Sequence, residues 1–176
     1  ILAGEKNRVH KVLTDGGIRL GVVVSDIHGK SGRAMVKALV AGEPAQSLLG
    51  YADPRLKASE EDLLDALDGD LSEEHRLVLA QLLDHIGYLE QHIAALRQAL
   101  VAGLAPQQGL LQALQTIPGL DETGAAMWVV EIGDDMQAFG SPERLASWAG
   151  VCPGNHESAG KRKSGRQRKG NPYVRR

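Results

Sequence analysis

The sequence predicts a mainly α protein, and three observations carry that prediction. Only six of the 176 residues are aromatic, so aliphatic side chains must fill the core, as in leucine- and alanine-rich helical packing. Apolar residues recur at alternating steps of three and four from Leu79 to Leu100. Helix start and stop signals punctuate the rest of the chain.

Taken in order, residues 18–27 read Ile-Arg-Leu-Gly-Val-Val-Val-Ser-Asp-Ile and are ambiguous. The valine run favours a strand, while Leu20, Val23, Val24 and Ile27 keep helical spacing. Ser31 can cap a short helix with Ala34, Met35, Ala38 and Leu39 on one face, ended by Gly42. Pro44 opens another turn and Asp53-Pro54 marks a break. Ser59-Glu60-Glu61-Asp62 resembles a capping box, with acids where the helix dipole favours them, and Gly69 ends that helix.

Between Ser72 and Gly103 the stripe is a heptad seam, with Leu79, Ile86, Ile93 and Leu100 at a and Leu82, Leu89 and Leu96 at d. A coiled coil over residues 58–104 follows, compatible with a homo-oligomer paired through residues 79–100. An antiparallel partner inside the chain, such as residues 60–68, accepts the same stripe. His85 and His92 fall at flanking positions seven residues apart without a third ligand, so they read as solvated side chains rather than a metal pair.

Leu104-Ala105-Pro106 breaks the chain, and residues 105–176 read as a small helical domain. One helix carries Leu110, Leu111 and Leu114; a second carries Ala125, Ala126, Val129 and Val130 and stops at Gly133. A third is capped at Ser141, has Pro142 in its first position and closes at Gly150. The resulting organisation is a helical linker over residues 1–57, the coiled coil, and this C-terminal domain.

Composition narrows the function. A single cysteine, Cys152, excludes an internal disulfide and a multi-cysteine zinc site. No run of 18 apolar residues occurs, and Ile1-Leu2-Ala3-Gly4-Glu5-Lys6 lacks a signal-peptide pattern, so a cytoplasmic protein without membrane contact is expected. The net charge of −2 conceals an asymmetry. Residues 161–176 hold eight of the 20 basic residues and no acid, leaving 12 basic against 22 acidic residues elsewhere, a net of −10. Such a segment reads as an anion-binding arm, most simply for nucleic acid. Its candidate contacts are Lys161, Arg162, Lys163, Arg166, Arg168 and Lys169.

Two further features carry chemistry. The turn from Ile117 to Gly124 has the form of a helix-hairpin-helix element, in which Gly119 and a helix N-terminus offer backbone N–H groups to a phosphate. Asp121 stands where a second hairpin glycine is usual, and an ordinary turn between two helices fits equally. Ser158, beside small residues and ahead of the cations, has the parts for phosphoryl transfer: a hydroxyl nucleophile and positive charge near a scissile phosphate. A turn-forming serine is the plainer alternative on chemistry alone, and His156 lies two positions away as a base without an orienting partner.

These motifs form an ordered set. Leu114-Gln115-Thr116-Ile117-Pro118-Gly119, Glu131-Ile132-Gly133-Asp134, Phe139-Gly140-Ser141, Leu145-Ala146-Ser147-Trp148-Ala149-Gly150, Pro153, His156-Glu157-Ser158-Ala159-Gly160-Lys161, Arg166 and Lys169-Gly170-Asn171 resemble the C-terminal domain of bacterial insertion-sequence transposases of the IS-one-ten and IS-one-one-one-one group. Upstream, Asn7-Arg8-Val9-His10-Lys11-Val12-Leu13, Ile18-Arg19-Leu20, Ser25-Asp26-Ile27 and Ser31-Gly32-Arg33-Ala34-Met35 resemble the middle region of the same proteins.

The resemblance implies a DNA transposase or recombinase in which a RuvC-like domain with four metal-binding acids is followed by a coiled coil and a domain with a nucleophilic serine, here Ser158. It implies DNA and a bridge-type guide RNA as partners, and Mg²⁺ as the metal of the complete enzyme. The chain starts beyond the point where the RuvC-like domain would end and gathers no acids to replace it. It is therefore expected to be a fragment that holds no cofactor and is inactive alone, with Asn171-Pro172 opening a final helix that is cut short.

Overall fold

In a computed structural model, residues 1–152, 156–164 and 169–174 are described, the side chains of 156–158 and 162–164 excepted. The chain is mainly helical and divides into two compact units, Ile1–Ile93 and Ala94–Arg176. The division falls within a helix.

The first unit begins with α1 (Leu2–Asp15), whose Glu5, Val9 and Leu13 recur every fourth residue and are buried. The ambiguous stretch resolves as a one-turn helix, α2 (Leu20–Val23), after which Val24 is extended. Leu20 and Ile27 are buried whereas Val22 is exposed, so the helical spacing prevails over the valine preference for strand. Next, α3 (Lys30–Ala41) buries Met35, Val36, Ala38 and Leu39 and ends at Gly42 in the left-handed region, φ 82°. Its N-cap is Gly29 rather than Ser31, two residues earlier than expected. A short α4 (Ala45–Leu48) follows Pro44.

The capping box expected at Ser59 opens α5 (Glu60–Ala66): the Ser59 hydroxyl accepts from the Asp62 N–H at 3.1 Å, and Asp62 Oδ2 accepts from the Ser59 N–H at 3.0 Å. That helix ends at Ala66, three residues before Gly69. Gly69 serves a different need, because a Cβ there would overlap the Gly16 carbonyl and the Gly17 backbone.

The 31-residue α6 (Glu73–Gly103) carries the heptad seam. At its start, Ser72 Oγ accepts from the His75 N–H at 3.3 Å. The Nε–H of Arg76 donates to the Leu71 carbonyl at 3.1 Å, and its Nη1 to the Leu39 carbonyl at the negative end of α3. Leu79 and Ile86 are fully buried in one core with Val9, Leu13, Met35, Leu39, Leu63 and Leu67. The first half of the stripe is thus covered from within the chain, by more elements than residues 60–68. Further along, Leu96 is 69% exposed.

A polar lattice ties α1 and α3 to α6. Arg33 grips Glu90 with two hydrogen bonds of 2.7 and 2.9 Å, and Lys6 Nζ lies 3.2 Å from the same carboxylate. The buried Glu5 carboxylate is met by Arg8 at 2.7 Å and His85 at 3.6 Å. Because the start of α1 meets residues 85–90 while the Asp70 N–H, just before α6, donates to Gly16 just beyond α1, the two helices run in opposite directions.

The second unit takes Leu100, Val101 and Leu104 from the end of α6 and its sequel, and packs them around Leu111, Ala125, Ala126 and Val129. The helices are α7 (Gln108–Gln115), α8 (Glu122–Ile132) and α9 (Pro142–Ala149). Ser141 caps α9 with Pro142 first, and Gly150 closes it at φ 77°, as expected. The expected loop bearing Ser158 is instead a two-stranded hairpin of β1 (His156–Ser158) and β2 (Lys161–Ser164).

Candidate nucleic-acid interface

The hairpin gives the basic segment its form. Its register pairs Ser158 with Lys161 and Glu157 with Arg162, and an irregularity beyond Glu157 brings His156 opposite Ser164. Ala159 and Gly160 make the turn with φ of 52° and 72°, both in the left-handed region. Two successive positive φ values define the mirror-image turn whose twist matches paired strands. Asn-Gly is the usual sequence for it, and Ala-Gly concealed the hairpin because alanine supplies no left-handed preference.

Ser158, Lys161, Arg162 and Lys163 therefore share one hairpin, with Ser158 and Lys161 flanking its turn directly opposite each other. Lys161 and Lys169 are exposed. Arg166 and Arg168 lie outside the described residues, as do Arg175 and Arg176.

At the other candidate, Gly119 has φ 87° and open space around it, and the Leu120 N–H donates to the Ile117 carbonyl at 3.1 Å. The entrance to α8 is already filled. Asp121 is its N-cap, and its Oδ1 accepts from the Gly124 N–H at 2.7 Å. A carboxylate thus sits where a phosphate would meet the helix dipole, with Glu122 adding a second negative charge. That arrangement favours an ordinary capped turn between helices.

Sequence reasoning did not pair Glu131 with Asn171. Asn171 Nδ2 donates to Glu131 Oε2 at 2.6 Å, joining the segment after the basic run to α8. Both residues stood within the motifs quoted above, but no spacing rule joins positions 40 apart. Asn171 also acts as the expected cap, its Oδ1 accepting from the N–H groups of Tyr173 and Val174 at 2.8 and 3.2 Å.

Among the described residues, no group of three or more His, Cys, Asp or Glu is gathered to hold a metal ion. No described helix is long and apolar enough to cross a membrane.

Comparison with curated proteins and with solved structures returned no match to the chain. Residues 111–176, from within α7 through α8, α9 and the hairpin to the last residue, match the model of the Transposase IS116/IS110/IS902 family.

Proposed function

We propose that this chain is the nucleic-acid-handling part of a DNA transposase that cuts and rejoins strands through Ser158, with the hairpin of residues 156–164 as its contact surface. The observation that carries the reading is the coincidence of the transposase match over residues 111–176 with the acid-free run of eight cations that starts in that hairpin. In the proposed step, Ser158 Oγ attacks a DNA phosphorus and loses its proton to a base. The bond to one deoxyribose oxygen breaks, and the departing strand leaves as a protonated hydroxyl. The product is a phosphoserine link with the energy of the cleaved phosphodiester retained for rejoining. Lys161, opposite Ser158 in the hairpin register, supplies positive charge on the side of that link. The metal-dependent domain and the guide RNA implied by the resemblance belong to the complete enzyme in this reading.

Two measurements test it. In the complete enzyme, Ser158→Ala should stop strand transfer while leaving nucleic-acid affinity nearly unchanged, since it removes one oxygen and no charge. Ser164→Ala is the control and should be mild; an essential Ser164 with a dispensable Ser158 would overturn the assignment. In the chain itself, if about five of the eight cations meet phosphates, log K for duplex DNA should fall with log salt at a slope of about −4 to −5. Neutralising Lys161, Arg162 and Lys163 together should flatten that slope by roughly two to three and weaken all sequences alike. A salt-independent K, or a triple variant binding like wild type, would remove the hairpin from the interface.

One observation favours an additional role in self-association. Leu96 sits on the heptad seam with most of its surface exposed, beyond the part of the stripe that Leu79 and Ile86 spend on the core. In this second reading a partner copy covers Leu96 and the part of Ile93 left open beside it.

A further inference from the structure

The outgoing and returning ends of the basic excursion are fastened to the same turn of α9. On the way out, Gly150 closes the helix and the Val151 N–H donates to the Ala146 carbonyl at 3.1 Å. On the way back, the Asn171 N–H donates to the Trp148 carbonyl at 3.3 Å. Gly170 passes so close that a Cβ there would overlap the Ala149 carbonyl and the Gly150 backbone. A residue other than glycine at 170 would force the returning chain off α9.

Asn171 then uses both ends of its amide. Its oxygen caps the turn that follows, and its nitrogen reaches Glu131 on α8. This assigns the amide orientation on chemical grounds, since only the nitrogen can donate to a carboxylate. Val174, one turn on, is 4% exposed and anchors the segment further.

We propose that Asn171 and Glu131 form a clamp that holds the returning end of the basic excursion against α8, so that the Ser158–Lys161 hairpin is presented to nucleic acid from a closed, two-point mount. The two are positioning residues and touch no phosphate themselves. The clamp rests on the reading of the hairpin as the contact surface for its purpose, but its existence can be measured separately. Holding both ends reduces the conformations that must be lost when the cations engage a backbone, so affinity gains through pre-organisation rather than through an added contact.

The test is a charge-conserving exchange in the 176-residue chain. Asn171→Asp keeps an oxygen to cap Tyr173 and Val174 but sets a carboxylate against Glu131. Adding Glu131→Gln restores the bond with its donor and acceptor reversed, and returns the net charge to that of wild type. Two readouts are followed: the rate of tryptic cleavage between Lys161 and Lys169, and affinity for duplex DNA at one salt concentration. Asn171→Asp is expected to be cut roughly tenfold faster and to bind several-fold more weakly, with the double variant close to wild type in both. Rescue by the second substitution separates a clamp from general misfolding.

A single variant cut at the wild-type rate, or a double variant no better than the single, would overturn the clamp. Wild-type protein that fails to bind DNA while the cleavage pattern holds would instead overturn the proposed contact surface and leave the clamp standing.

Discussion

The first unit gathers sixteen buried side chains into one core, from Val9 on α1 to Ile86 on α6, whereas the core of the second centres on Leu111, Ala125, Ala126 and Val129. Two of those four are alanines, which bring little apolar area. Both units leave large apolar side chains exposed, among them Val22 and Leu77 in the first and Val130 and Tyr173 in the second, so the difference lies in the cores. The comparison separates two ways of spending sequence. One unit uses long aliphatic side chains and a partly buried ionic lattice to hold helices together. The other uses caps, glycine turns and hydrogen bonds to define a backbone path that ends in a cationic hairpin.

The contrast is broken most severely at Ile86. Replacing it by Asp buries an unpaired charge in the larger core and should cost more than about 4 kcal/mol, unfolding the first unit. Denaturant titration by circular dichroism checks this, and near-wild-type stability would show that the helix does not pack as described. Leu111→Ala tests the second unit, with an expected loss of about 2–3 kcal/mol, at the lower end for buried leucines because its small neighbours can close on the gap.

Acid sharpens the comparison. Glu90 is held down to about 2 from its ordinary 4.5, first by the Arg33 hydrogen bonds and further by Lys6. A carboxylate lowered in the folded state stabilises fully above its unfolded value and loses that contribution as the pH falls from about 4.5 toward 2. With a third of the side chain open to solvent, the effect should be about 1–2 kcal/mol and be erased in Glu90→Gln. Melting curves between pH 6 and pH 2 would show it, and a pH response unchanged by the substitution would remove Glu90 as its source.

The two smallest effects lie at the surface. Leu96→Asp should leave the melting temperature within about 1–2 °C of wild type, since an exposed site away from special features is worth only about 0.5 kcal/mol. Light scattering of the same variant tests the seam: loss of a wild-type dimer supports self-association there, and a monomeric wild type ends that reading. Ala159→Asn should stabilise the hairpin by about 0.5–1 kcal/mol, because asparagine tolerates the left-handed backbone that alanine adopts at a cost. Amide exchange in residues 156–164 would report it.

Much of the helical pattern was legible because local chemistry decides it. Ser59, Ser141, Gly42, Gly133 and Gly150 mark helix ends through bonds reaching only a few residues. The partner of the heptad seam was not legible, because Leu79 and Ile86 suit any apolar surface of the right spacing. The hairpin was missed where an alanine occupies a position that asparagine or glycine would have announced. The cationic segment was plain from composition, but its tether through Glu131 depends on two residues that only the fold brings together.

The Asp121 cap has a consequence for where an anion can land. A carboxylate joined by its own backbone to the mouth of α8 competes there at an effective concentration in the millimolar range or above, which free phosphate or a passing DNA strand must exceed to displace it. The helix entrance is thereby self-saturated, and exchanging chloride for phosphate buffer should leave it unmoved.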